Sequence, residues 1–383
     1  MPGAKEISVR CCFFLMFPVM SFVAWSGSSL AQQTQLPSGP RITFEEILRR
    51  EDGDHDRKVT KQEFKGPVRL FERLDRNRDQ VLTEEDFDRV GDLPERRIRI
   101  PDDVTVVRDV VFGTGGGRDL KMHIVLPAES DRQLRPAFVW IHGGGWQSGS
   151  KEGGLAQVIP LVRSGFVGAT IEYRLTGEAP FPAQIEDCKC AIRFLKAHAQ
   201  KYGIDPNRVA VGGSSAGGHL VALLGTSGGE KSLEGNGGWP DQSSRVHAVL
   251  DLYGPTDFRA FVTTSGYERH NQDGSPESKL LGGGEVLSSP DQIRIVNPIT
   301  YVDSDDPPFL IIHGSNDRTV PLNQSTLLHD ALKKAGVSAQ LKIIEGGGHG
   351  GPEFSTEEIR DLEKTFLSQL LRSDDLPAAK TNP

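Results

Sequence analysis

The chain has 383 residues, 37% of them hydrophobic and 25% charged, long enough for one large α/β domain and a small companion. Its net charge of -8 argues against a nucleic-acid partner. Forty-three glycines and 24 prolines at this hydrophobic content point to many tight connections and not to disorder.

Residues 1–31 read as a signal peptide. Lys5 and Arg10 give a basic start, 11–25 is almost uninterrupted apolar sequence, and Ser29-Leu30-Ala31 offers a small-x-small cleavage site before Gln32. That run is short for a membrane span, and no later stretch approaches about eighteen apolar residues. The expectation is an exported protein, periplasmic or secreted, with no membrane partner once the leader is removed. Cys188 and Cys190 then remain, two apart on an expected helix, so they point in different directions and read as buried hydrophobes, not as a disulfide.

Residues 40–92 hold two loops of one spacing. The first places Asp52, Asp54, Asp56 and Glu63 at positions 1, 3, 5 and 12, with Lys58 at 7; the second places Asp75, Asn77, Asp79 and Asp86 there, with Val81 at 7. Calcium takes six to eight hard oxygens, and alternate positions of a tight loop can aim side chains at one point while position 7 supplies its carbonyl. The pair resembles the EF-hand family, with departures. Arg57 and Gln80 replace the glycine of position 6 and must take positive φ. Asp86 is shorter than the usual glutamate, and the loops start only 23 residues apart, with Gly66-Pro67 between them. The resemblance implies structural calcium of weakened affinity, roughly 10⁻⁴ to 10⁻³ M. A polar linker follows at 93–97.

From residue 98 the pattern becomes that of an α/β domain reaching to 372, followed by a tail at 373–383 expected to be disordered. Strands are expected at 104–112 and 120–126 around Gly115-Gly116-Gly117, then at 138–141, 167–171, 208–211, 246–252, 309–312 and 341–344. Helices are expected at 154–162, 183–202, 324–335 and 356–371, the last with a capping box of Ser355 and Glu358. This alternation implies a mostly parallel sheet covered on both faces, with ligands at the carboxyl ends of its strands.

Four stretches carry chemistry. Gly213-Ser214-Ser215-Ala216-Gly217 lies between a strand and a helix and fits a nucleophile elbow that lifts the Ser215 hydroxyl out of the sheet. His142-Gly143-Gly144-Gly145-Trp146 follows a strand, and with Ala216 its Gly144 and Gly145 are candidate amide donors to an oxyanion. Asp317 and His349 each sit in a loop after a strand, and the chain order Ser, Asp, His is that of an α/β-hydrolase. A hydroxyl becomes a good nucleophile when a base takes its proton, and an acid must hold that base in one tautomer. His142 reads as a loop brace; Asp251, Asp257 and His219 are rival acids and bases that read as structural. Segments 225–244 and 259–297 interrupt the rhythm at the strand ends. Trp146, Tyr173, Trp239, Tyr253 and Tyr267 are candidates for stacking on a sugar or phenolic group.

With these residues in place, 100–371 resembles the α/β-hydrolases of the hormone-sensitive-lipase-like esterases, in particular the bacterial carbohydrate acetyl/feruloyl esterase type. The likeness rests on HGGGW at 142–146, EYRL at 172–175, FPAQIEDC at 181–188, GIDPNRVAVGGSSAGGHL at 203–220, GPTDF at 254–258, HGSNDRTVP at 313–321 and GGGHGG at 346–351. It implies a serine carboxylesterase for acyl esters of carbohydrates or small molecules, with no cofactor for catalysis. The alternatives are a kynurenine-formamidase-like amidase and a non-catalytic, calcium-dependent binding protein on a hydrolase fold.

Overall fold

A computed structural model describes residues 44–54, 56–66, 70–71, 74–75, 79–88, 100–129 and 133–369. The signal segment, the linker, the tail and Asn77 lie outside the described residues. The chain divides into two compact units, Met1–Arg96 and Arg97–Pro383.

The first unit is built as a repeat. Strands β1 (Val59–Thr60) and β2 (Val81–Leu82) pair antiparallel, and helix Phe44–Glu51 packs Phe44, Ile47 and Leu48 around Val59 and Leu82. Each strand lies within a loop, and the two loops have the same internal bonds. Arg57 N donates to Asp52 Oδ2 (3.1 Å) and Gln80 N to Asp75 Oδ2 (3.0 Å); Lys58 N donates to Asp56 and Val81 N to Asp79, both at 2.8 Å. Thr60 N meets Glu63 at 2.8 Å, and Thr83 N meets Asp86 at 2.9 Å. Arg57 and Gln80 have φ of +60° and +69°, the left-handed turn expected at those two positions.

The second unit is an eight-stranded sheet. Its strands are β3 (Val104–Gly115), β4 (Arg118–Pro127), β5 (Arg135–Ile141), β6 (Val167–Ile171), β7 (Ile204–Ser214), β8 (Ala248–Leu252), β9 (Phe309–Gly314) and β10 (Ala339–Ile344), in the order β10-β9-β8-β7-β5-β6-β4-β3. Pairing is parallel from β10 to β6 and antiparallel at β6–β4 and β4–β3. Both faces are buried along the central strands β5, β6, β8 and β9. Along β5, Val139 and Ile141 pack with helices Ala183–Ala197 and Ala216–Thr226, while Phe138 and Trp140 pack with helices Leu155–Val162 and Glu357–Ser368. A strand buried on two sides has no polar face to show, which is why these segments read as continuous apolar runs.

Three local expectations are corrected. The helix expected over 183–202 stops at Ala197 and restarts at Ala199, because the His198 ring turns back to stack on Phe194 (4.2 Å) and bond its carbonyl. The last helix is capped by Thr356, whose hydroxyl accepts from Ile359 N, so Ser355 and Glu358 form no capping box; Glu358 pairs with Lys342 instead. Trp146 and Tyr173 are 2% and 1% exposed and cannot stack on a substrate. Cys188 and Cys190 are free and buried. Among the described residues no helix is long and apolar enough to cross a membrane.

Candidate active site

Strand order places the site. The chain runs from β5 outward to β6 on one side, and from β7 through β8 to β10 on the other, so β5 and β7 flank the point where the order reverses. Such a reversal opens a crevice at the carboxyl ends of the two strands. Ile141 of β5 is paired with Gly213 of β7, so the glycine loop after β5 and the turn after β7 leave the sheet side by side.

At that turn Ser215 adopts φ +56°, ψ -120° between β7 and the helix Ala216–Thr226. A non-glycine residue takes this conformation only when its surroundings hold it there, and here the strain lifts the hydroxyl off the sheet. Two glycines make the turn possible. A Cβ on Gly217 would lie 2.1 Å from the Ile141 carbonyl oxygen, and one on Gly213 would lie 2.4 Å from that of Gly217.

The structure brings Ser215, His349 and Asp317 together from three loops. His349 Nε2 is 2.8 Å from Ser215 Oγ, and His349 Nδ1 is 2.6 Å from Asp317 Oδ2. A carboxylate only accepts, so Nδ1 carries the proton and Nε2 faces the hydroxyl as an acceptor. Asp317 is 4% exposed, and its Oδ1 accepts from Thr319 N (2.7 Å) and Val320 N (3.0 Å). Burial works to raise this carboxyl, but hydrogen bonds from His313 and His349 overcome it and hold Asp317 below the usual carboxylate range.

Gly144 and Gly145 take φ of +112° and +59°, and a Cβ on Gly144 would lie 2.3 Å from the Ser148 carbonyl oxygen. Among the described residues the amides of Gly144, Gly145 and Ala216 donate no hydrogen bond. Ala216 opens an eleven-residue helix whose N-terminal end adds positive potential there. The glycine loop after β5 and the helix start after β7 thus offer unspent N–H donors at the rim where Ser215 has a base.

The rivals have other work. His219 is fully buried; its Nε2 donates to Val296 O (2.8 Å), its Nδ1 accepts from Trp146 Nε1 (3.3 Å), and burial lowers its pKa to about 4. Asp257 caps the helix Phe258–Thr263 through Ala260 N. Asp251 is fully buried, accepts from Gly254 N, and is pushed up to about 6 by burial. His142 stacks on Tyr173 at 4.4 Å and braces the glycine loop. Two contributors escaped the reading of the sequence. His313 lies 3.2 Å from Asp317 Oδ2 through Nε2, and Tyr267, expected as a stacking residue, donates its hydroxyl to the Asp317 carbonyl oxygen. The signal for His313 was its place four residues before the acid, at the end of a buried strand.

In the first unit, carboxylate oxygens of Asp52, Asp54 and Glu63 lie within 4.8 Å of one another. Asp52 Oδ1 and Asp75 Oδ1, at position 1 of each loop, are buried with no hydrogen-bond partner. Orphaned hard oxygens in a tight loop are the donor set that calcium takes.

The sheet, its turn of strand order and the strand–serine–helix elbow define an α/β-hydrolase. Residues 122–332 match the BD-FAE family, more than half of the chain, and the protein belongs to that family. It is similar to esterase LipC of Mycobacterium tuberculosis, 33% identical over 219 residues, covering 56% of this chain and 53% of LipC. Among solved structures it is similar to a truncated carbohydrate esterase from gut microbiota, with a TM-score of 0.65 and 33% identity over 71% of this chain and 99% of that one. A thermophilic esterase of Thermogutta terrifontis with propionate bound has a TM-score of 0.57 and 28% identity, over 70% of this chain and 95% of that one. The chain spans about half the length of the curated relatives it matches.

Proposed function

We propose that the protein is an exported serine carboxylesterase that hydrolyses acetyl or feruloyl esters of carbohydrates or small molecules. One observation carries this reading: the unbroken chain from Ser215 Oγ through His349 to Asp317, at 2.8 and 2.6 Å, on the carboxyl rim of the sheet. Ser215 Oγ attacks the ester carbonyl while His349 Nε2 takes its proton. Asp317 stabilises the resulting imidazolium, and the amides of Gly144, Gly145 and Ala216 receive the oxyanion. Collapse of the tetrahedral intermediate expels the alkoxide, which takes the proton back from His349; water then repeats the sequence on the acyl-enzyme. The ester chemistry draws its base from His349 and asks nothing of a metal.

Carbohydrate esters are favoured by the likeness to a carbohydrate esterase, and a small acyl group by the likeness to a propionate-bound esterase. Export rests on the leader pattern of residues 1–31. The domain plan is a leader, an EF-hand-like pair at 40–92 and the hydrolase at 98–372. Calcium would be held by Asp52, Asp54, Asp56, Glu63 and the Lys58 carbonyl, and by Asp75, Asn77, Asp79, Asp86 and the Val81 carbonyl. There it would tie each loop together and balance its carboxylates.

The test compares wild type with Ser215→Ala on acetylated xylan, methyl ferulate and p-nitrophenyl esters of rising chain length. Loss of one triad member should lower turnover by several orders of magnitude. Release of acetate or ferulate by wild type alone supports both mechanism and substrate class. Turnover of short p-nitrophenyl esters only would remove the carbohydrate assignment. Equal turnover by the variant would remove the mechanism.

A further inference from the structure

His313, the residue before last in β9, is fully buried, and no step described above uses it. Its Nε2 faces two acceptors, the Val320 carbonyl oxygen at 3.0 Å and Asp317 Oδ2 at 3.2 Å. Since a carbonyl only accepts, Nε2 must carry the proton. Its Nδ1 lies 2.7 Å from the hydroxyl of Ser325, also fully buried, which therefore donates to it. One tautomer of His313 is thus fixed from both sides. The consequence falls on Asp317: the oxygen that receives His349 Nδ1–H receives a second imidazole N–H, while Oδ1 takes two backbone amides.

We propose that His313 is a positioning residue that tempers the basicity of the Asp317–His349 pair, and so sets the pH at which His349 becomes available as a base. The physical reason is competition for charge. Every donor on a carboxylate spreads its negative charge and lowers its affinity for a further proton. With His313 in place, Asp317 stabilises the imidazolium of His349 enough to orient it, but less than an unshared carboxylate would. Removing that donor raises the proton affinity of the pair as a unit. The other groups facing the pair do not reach Oδ2 among the described residues. Tyr253 stands against both rings, 6.3 Å from His313 and 4.7 Å from His349; the Tyr267 hydroxyl is on the Asp317 main chain; Glu353 accepts from Gly348 N; Asp251 is held by Gly254 N. Arg318, next to Asp317, is exposed.

The kinetic part of the proposal rests on the esterase reading, so the experiment uses two readouts. Full-length wild type, His313→Leu, His313→Gln and Ser325→Ala are compared in the pH profile of kcat/KM and in the titration of carbon-13-labelled His349 followed at Cε1 by NMR. For His313→Leu the acid limb and the NMR midpoint should both move to higher pH by about one unit. At a pH inside that shifted limb, kcat should fall by about tenfold with KM little changed, the size expected for one hydrogen bond to a charged group. His313→Gln, which keeps an N–H donor, should return both towards wild type. Ser325→Ala, a change small enough to fold if His313→Leu does not, should move both the same way by less, because an imidazole that loses its Nδ1 donor is a weaker donor at Nε2. Lost activity with both midpoints unmoved would overturn the proposal and leave His313 as packing. If wild type hydrolyses no ester, the esterase reading falls by itself, and the NMR midpoints alone decide: raised in the variants they support the role of His313, unmoved they refute it.

Discussion

Gly217→Ala tests how closely the turn that holds Ser215 and the glycine loop are fitted together. The added Cβ would stand 2.1 Å from the Ile141 carbonyl oxygen and 2.7 Å from that of His142, where real Cβ atoms essentially never come under 3.0 Å. Neither obstacle is a flexible side chain. Ile141 is the last residue of a strand paired on both sides, and His142 is locked by Tyr173, which stacks on its ring and donates to its carbonyl at 3.0 Å. The Ala216–Thr226 helix and the 142–146 loop must therefore separate by about 0.9 Å, the shortfall between 2.1 and 3.0 Å. Overpacking of this kind costs about 1–3 kcal/mol. The same displacement widens the gap between Ser215 and the amides of Gly144 and Gly145. A misplacement of about 1 Å costs on the order of 100-fold in rate. The assay is turnover of p-nitrophenyl acetate beside calorimetric unfolding of the same preparation. The expected result is a lowered Tm together with a drop in kcat near two orders of magnitude. A Gly217→Ala enzyme with wild-type kcat would refute the claim that this contact sets the geometry of the site, whatever its Tm.

Two further outcomes follow from burial and charge. His219 is neutral and fully buried with a pKa lowered to about 4, so the unfolded chain binds its proton more readily. The associated stability is present above the ordinary histidine pKa and drains away as pH falls from about 6.5 through 4, by at most roughly 3 kcal/mol. His219→Gln should flatten the urea-unfolding free energy across that window, and an unchanged slope would sink the assignment. Calcium titrated into the full chain by calorimetry should bind with Kd of roughly 10⁻⁴ to 10⁻³ M. Asp52→Ala, which removes an orphaned oxygen of the first loop, should weaken that binding and leave turnover of p-nitrophenyl acetate unchanged. Absence of any binding heat in wild type would end the calcium reading.

Much of the site was legible in the sequence because its pieces are local. A strand followed by glycines, or by serine between glycines, betrays a turn that must leave amides and a hydroxyl bare, and the order Ser215, Asp317, His349 needs no geometry to read. The paired loops are local too: position 6 of each demanded positive φ, and Arg57 and Gln80 have it. Errors came where a side chain's partner lies far along the chain. His198 breaks its helix because Phe194 offers a ring to stack on, and Trp146 is buried because His219, 73 residues away, accepts its N–H.

The sequence by itself determined the strand–helix rhythm, the elbow and the residue types available for acid, base and nucleophile, since backbone preference and apolar periodicity act over a few residues. Tertiary structure alone decided which of them meet. Ser215 and His349 are 134 positions apart and stand 2.8 Å from each other only because β7, β8, β9 and β10 lie side by side and end at one rim. The second imidazole on Asp317 belongs to that level as well. No periodicity reports that a histidine in a buried strand will find a carboxylate in the loop that follows, because hydrogen-bond pairing in a dry interior is settled by where the packed strands leave each polar atom.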